Sequence, residues 1–231
     1  MDFTFGIITD GSNDNFVREV VGSIRNQNIP NHEVIVVGGG DVYGGGAVHI
    51  PFDETIKDGW ITRKKNIITR ESKYENIVYM HDYIALCDGW YDGYVKYGNG
   101  FSACMNIIYN KDGSRFRDWI LGYPSFVKNN EFLLDYGITH LSKMMYFSGS
   151  YWVAKKWVME EIPLDENRSW GQAEDAVWSN KYREKYAFSM NVNSSVRLLK
   201  YKQNTFNQQS EDTINFLRSV DDQYIKNNYR G

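Results

Sequence analysis

Glu174 and Asp175 stand side by side just after Trp170-Gly171, and from Ala173 to about Lys185 the chain reads as a helix. Acids in a first helical turn sit at the positive end of the peptide dipoles, which favours their ionised form. An ionised carboxylate at a cleft edge can take a proton from an attacking hydroxyl. The same pair also suits an ordinary dipole complement, so by itself it does not define a site. A second acid has a different setting: the apolar run from Ile77 ends on His81-Asp82. Strand ends of open α/β sheets are where ligands bind. A carboxylate there suits a hard cation such as Mg²⁺ or Mn²⁺, or else caps a neighbouring helix. One site suited to metal and one suited to proton transfer suggest an enzyme.

The remaining polar motifs point less far. Gly38-Gly39-Gly40 and Gly44-Gly45-Gly46 follow the second strand, whereas a dinucleotide fingerprint follows the first strand and opens a helix. They read as a flexible turn or a backbone cradle. No GxxxxGK[ST] phosphate loop occurs. Lys64-Lys65-Asn66 opens a helix, where a lysine reaches a phosphate or faces water. His32, His49 and His140 are isolated. Gly149-Ser150 alone is only a helix entry.

Composition narrows the class. The 231 residues suit one sizeable core, read as a single domain over 1–231. A net charge of −3 argues against nucleic acid or a membrane surface as partner. No stretch has transmembrane length, so no membrane insertion is expected, and no basic leader precedes the first strand. Cys87 and Cys104 form no CxxC, which indicates a reducing compartment and a cytoplasmic location. The 17 Tyr and 7 Trp either fill a core or offer faces to sugar C–H groups.

These motifs need elements to hold them. Strands are expected at Phe3–Ile8, Glu33–Val37, Ala47–Ile50 and Glu75–Met80. Helices are expected from Asn13 or Asp14 to about Gln27 and from Thr62 to about Glu71. Residues 1–85 thus read β-α-β-β-α-β, a nucleotide-binding half with an open, mostly parallel sheet. In the second half, 86–205, Cys87 to Gly100 is Gly-rich and aromatic, and 110–140 reads as irregular. Strands are expected around Phe101–Tyr109, at Met144–Phe147, at Ala187–Met190 and at Val196–Tyr201. A helix is expected over Tyr151–Glu160, before Pro163, and a C-terminal helix from Ser210 within 206–231.

The order of these pieces resembles the GT-A-type nucleotide-sugar glycosyltransferases, especially the broad inverting group of bacterial polysaccharide transferases. The likeness covers roughly residues 3 to 190. Thr9-Asp10 matches the loop that touches the nucleobase, and Ser23-Ile24-Arg25-Asn26-Gln27 matches the end of the first helix. Lys64-Lys65-Asn66 answers an Ala-Arg-Asn helix start. His81-Asp82-Tyr83 falls at the DXD motif, Phe147-Ser148-Gly149 at the acceptor-side strand end, and Glu174-Asp175 at the base motif.

The resemblance implies a single α/β domain of GT-A fold, a mixed central sheet with helices on both faces. It implies transfer of a sugar from a nucleoside diphosphate sugar, UDP by default, to a carbohydrate or other hydroxyl. Thr9, Asp10, Asp41, Lys65, His81 and Asp82 would bind the donor, and Asp82 would hold Mn²⁺ or Mg²⁺. Asp175 would be the base, with Glu174 orienting. Ser148, Gly149, Tyr151 and Trp170 would meet acceptor or sugar. Two departures stand out: Asp41 is displaced behind Gly38-Gly39-Gly40, and Tyr83 replaces the last acid of the DXD. A retaining transferase, a sugar-nucleotide pyrophosphorylase and a non-catalytic sugar-binding module are the rival readings.

Overall fold

The computed structural model describes residues 1–40, 43–122, 131–139 and 145–203. Strand β1 (Phe3–Ile8) is buried along its whole length. A strand buried at every position is covered on both faces, and β1 lies inside the sheet between two parallel partners. Helix α1 (Asp14–Arg25) opens on Asn13, whose side chain accepts from the Phe16 amide. Its Val17, Val20, Val21 and Ile24 form the buried stripe. Strands β2 (His32–Val37) and β3 (Val48–Ile50) extend the sheet in parallel on one side of β1.

Helix α2 (Ile61–Glu71) carries the chain back, and β4 (Asn76–His81) pairs with the other side of β1. The helix crosses directly over β1. A β-carbon at Gly6 would stand 2.2 Å from Ile68 Cγ2, so a glycine is required beneath it. The order β3-β2-β1-β4 reverses its direction of growth at β1. Ligands of open α/β sheets bind outside the strand carboxyl ends at such a reversal. Here those ends are Ile8-Thr9 and His81-Asp82, brought level by the Ile8–His81 pairing.

The second half continues with β5 (Ile84–Leu86), α3 (Trp90–Tyr97), β6 (Ala103–Tyr109), β7 (Ile120–Gly122), β8 (Glu131–Leu133) and β9 (Met145–Tyr146). It ends with β10 (Tyr151–Lys155), α4 (Lys156–Glu161), α5 (Glu174–Arg183) and β11 (Ser189–Leu198). The main sheet has eight strands in the order β3-β2-β1-β4-β10-β6-β11-β5, and β8-β7-β9 form a small antiparallel sheet. β10 is antiparallel to both neighbours and β5 to β11, so the main sheet is mixed.

This sheet must curl. β5 begins three residues after β4, a reach of at most about 11 Å. In a flat sheet the four spacings between them would span about 19 Å. The β11–β5 edge therefore returns beside the end of β4, where Leu86 N donates to Ser23 Oγ of α1 at 3.0 Å. Helices cover both faces. α2 lies over Gly6, and α3 packs Trp90 on Phe3 and Phe5, whose side chains point the opposite way.

Four expectations are corrected here. Tyr151 to Lys155 is strand β10, inserted between β4 and β6, and only Lys156–Glu161 is helical. Its five residues are all buried, as a central strand's are, so the run shows no alternation and reads equally as helix. The Gly-rich stretch after Cys87 holds α3, bounded by Gly89 and Gly98 with φ of 76° and 90°. The two expected late strands are one strand, β11, with a register break between Asn191 and Ser195. The stretch 110–140 carries β7 and β8. The expected helix from Ser210 lies outside the described residues, as do Asp41 and His140.

Candidate functional site

A cleft of about 670 Å³ opens at the β1/β4 switch point. Thr9, Asp10, Lys64, His81, Asp82, Tyr83 and Trp170 line it, together with Glu54, Asp58, Lys200 and Lys202. Its floor is one hydrogen bond: Thr9 Oγ1 donates to Asp82 Oδ2 at 2.7 Å. Burial pushes the Asp82 carboxyl up, and the Thr9 bond opposes that shift. Asp10 is exposed, and the Ser12 side chain and then the Ser12 amide, which donates to it at 2.8 Å, hold its pKa down. Lys64, in the first turn of α2, donates to the Thr9 carbonyl at 2.7 Å and pairs with Glu54. Trp170 is 69% exposed, and its amide donates to the Gly59 carbonyl at 2.8 Å, which sets the indole at the rim.

The acids of α5 sit in a neighbouring cluster, not on the cleft wall. Gly149 joins them. Its amide donates to Asp175 Oδ2 at 2.8 Å, and its carbonyl accepts from the buried Lys65 ammonium at 2.6 Å. Asp175 Oδ1 also accepts from the Ala176 amide at 2.8 Å. A β-carbon at position 149 would lie 2.8 Å from Glu174 Oε1 and 3.1 Å from Asp175 Oδ2, so both carboxylates close on a residue without a side chain. Glu174 is buried, and burial followed by the Asp175 charge pushes its carboxyl up. Burial pushes Lys65 down to about 8, while the two acids oppose that shift. Ala173 enters the helix with φ 54°, a left-handed conformation that alanine rarely adopts.

His81 and Tyr83 bridge the two regions. Both line the cleft, and their rings lie 5.3 Å apart. Burial and then the charges of Lys65, Lys202, Lys200 and Lys64 hold the imidazole well below its usual pKa, so it is neutral. Burial pushes the Tyr83 phenol up, and the charges of Asp82 and then of Glu174 add to that push.

Not every expected residue is placed for contact. Tyr151 is fully buried, with its hydroxyl bonded to Trp90 and Asn106, and belongs to the core. Ser148 is buried and shares a hydrogen bond with Ser150 at 3.0 Å, behind Gly149. Lys200 and Lys202 were not singled out by their sequence, which reads as the end of a strand. The pattern Lys-x-Lys just past a strand end is the one signal they offer.

A cation held by the protein alone fits this donor set poorly. Asp82 offers one carboxylate with one oxygen already engaged by Thr9, and Tyr83 occupies the place of the second acid. Among the described residues no three His, Cys, Asp or Glu side chains converge. Among them, too, no helix is long and apolar enough to cross a membrane.

Sheet order and the switch-point cleft define a single α/β domain of the GT-A type. No family profile and no curated protein matches the sequence. Solved structures do share the fold. GalNAc-T7 with UDP, GalNAc and Mn²⁺ superposes with a TM-score of 0.65 and 12% identity, over 96% of this chain and 49% of that one. S. aureus TarS 1-349 with UDP-GlcNAc gives 0.61 and 14%, over 95% and 65%, and TarS 1-349 in a second structure gives 0.57 and 16%, over 87% and 59%. This chain thus spans between about half and two thirds of the length of these structures.

Proposed function

We propose that this chain transfers a sugar from a nucleoside diphosphate donor, a UDP-sugar first, to an acceptor hydroxyl with inversion at the anomeric carbon. The observation that carries the reading is the cleft at the β1/β4 switch point, floored by Thr9 and Asp82. It occurs in a fold shared with structures holding UDP-GlcNAc, or UDP with GalNAc and Mn²⁺. Thr9 and Asp10 face the nucleotide, Trp170 stacks on a sugar, and Gly149 lies on the acceptor side. In the reaction the bond between the anomeric carbon and the phosphate oxygen breaks, and the nucleoside diphosphate leaves with the electron pair. The acceptor oxygen attacks the opposite face through an oxocarbenium-like state. Its proton passes to Asp175, which the Gly149 and Ala176 amides hold in place. Glu174 and Lys65 position that base. The free cysteines Cys87 and Cys104 support a cytoplasmic location.

The test is a melting screen of UDP-, GDP-, CMP- and dTDP-sugars, followed by assay of nucleotide release. A donor that raises the melting temperature binds the folded state. Release from that donor, lowered by Asp175→Asn, is the expected result. Binding without release would make the chain a sugar-nucleotide binding module. A product with the donor's anomeric configuration would make it a retaining enzyme. No binding across the panel would end the reading.

A further inference from the structure

Among the described residues, two lysines in the cleft make no ion pair with a carboxylate, although the Asp82 charge acts on both. Lys200 and Lys202 follow β11, on the edge that the curled sheet returns to β4. Their ammonium groups lie 4.3 and 4.2 Å from the centroid of the Tyr83 ring, and Lys202 Nζ donates to the Tyr83 hydroxyl at 2.5 Å. Neither is ion-paired with a carboxylate of the described residues. The other cleft lysine, Lys64, is engaged by Glu54 and the Thr9 carbonyl.

The segment carrying them is anchored at both ends. Leu199 N donates to the Tyr83 carbonyl at 2.9 Å. Lys202 N donates to Asn110 Oδ1 at 3.0 Å, and Asn110 Nδ2 donates back to the Lys202 carbonyl at 2.6 Å. Asn110 is itself only 2% exposed. The backbone that carries the two charges is therefore fixed before any ligand arrives.

We infer that Lys200 and Lys202 hold the donor's diphosphate directly, so that nucleotide binding needs no divalent cation. The inference rests on the reading of this cleft as a nucleotide-sugar site. Where the resemblance implies a second acid, Tyr83 stands, and its ring and hydroxyl gather two positive charges. The sign of the site is reversed at that position. A cation on Asp82 would meet two ammonium groups, whereas a diphosphate would meet them as complementary charge beside the Asp82 carboxylate, which already acts on both lysines. Lysine is a compact point charge that binds phosphate without a fixed geometry. A neutral ligand would cover both ammonium groups and leave them unpaired, which is costly.

The experiment is calorimetric titration of the full chain with UDP in EDTA and in Mn²⁺, and with inorganic pyrophosphate in EDTA. It is repeated on Lys200→Ala, Lys200→Ala/Lys202→Ala and Lys202→Arg. Lys200 is exposed, so its single variant tests the charge in a chain that keeps its fold, and a melting curve checks each protein. The wild-type UDP Kd is expected to agree within about threefold between EDTA and Mn²⁺. The double variant is expected to weaken UDP and pyrophosphate by about tenfold to a hundredfold, the range for lost hydrogen bonds to charged groups, while Lys202→Arg retains binding. UDP binding that disappears in EDTA, or that the folded lysine variants leave unchanged, overturns the inference and leaves the donor reading standing. Lysine-dependent binding in which UDP is no tighter than pyrophosphate supports the clamp and removes the nucleotide reading. Failure of both probes to bind overturns both.

Discussion

The buried ammonium of Lys65 donates to the carbonyl of Gly149 at 2.6 Å, and that bond ties α2 to the turn on which Asp175 rests. Gly149 thus meets three charged groups: Lys65 through its carbonyl, Asp175 through its amide and Glu174 across the space its missing side chain leaves. A lysine 1% exposed is unfavourable alone, and two nearby carboxylates offset its burial.

Gly149→Ala tests this packing. The added methyl would come within 2.8 Å of Glu174 Oε1, so the turn or α5 must move. Overpacking of this kind costs about 1–3 kcal/mol. A lower urea midpoint together with slower nucleotide release is expected. An unchanged midpoint and rate would show that the carboxylates shift freely.

Lys65→Met gives a pH signature. Burial pushes the Lys65 ammonium down from 10.5 to about 8, so the folded chain releases this proton before the unfolded chain does. Below pH 8 both states hold the proton and the cost of burying the charge is present in full. Between 8 and 10.5 the unfolded state binds more protons, and this contribution makes stability rise with pH. Urea unfolding at pH 7 to 10 should show wild type gaining on Lys65→Met above pH 8, by at most about 1.4 kcal/mol per pH unit. Parallel profiles for the two proteins would contradict the shift.

Asp175→Asn keeps the shape of the side chain and removes its capacity to accept a proton. Removing a general base costs about 10²–10⁴-fold in rate. Turnover should fall by that order while donor Kd stays nearly constant. Glu174→Gln is the comparison, since the adjacent residue projects about 100° away around the helix. Loss of transfer in Glu174→Gln but not in Asp175→Asn would exchange their roles.

Ala173→Gly addresses the strained entry to α5. A left-handed alanine costs about 1–2 kcal/mol relative to its ordinary conformation, and glycine adopts this backbone without that cost. The freer unfolded glycine returns part of the gain, so a net stabilisation of about 0.5–1 kcal/mol is expected by chemical denaturation. A destabilised variant would show that the methyl group packs usefully.

Much of the first half was legible because its signals are local. β1, β2 and β4 are short apolar runs, and α1 carries its stripe of Val17, Val20, Val21 and Ile24 behind an Asn13 cap. The second half was less legible. β10 is buried on both faces and runs straight into α4, so neither period nor a turn residue separates them. For α3 the flanking glycines were visible, yet the stretch between them read only as Gly-rich and aromatic, with no helix assigned.

The sequence by itself determined the α/β class, the strand-end position of Asp82 and the helix-start position of Glu174 and Asp175. These follow from patterns only a few residues long. Tertiary structure alone decided that Tyr151 is core, that Lys65 and the two acids meet at Gly149, and that Lys200 and Lys202 enter the cleft. The reason is distance along the chain: Lys202 and Tyr83 are 119 residues apart, and what brings them into contact is the curl of an eight-stranded sheet. That curl is set by the packing of all its strands together, and no local run of residues encodes it.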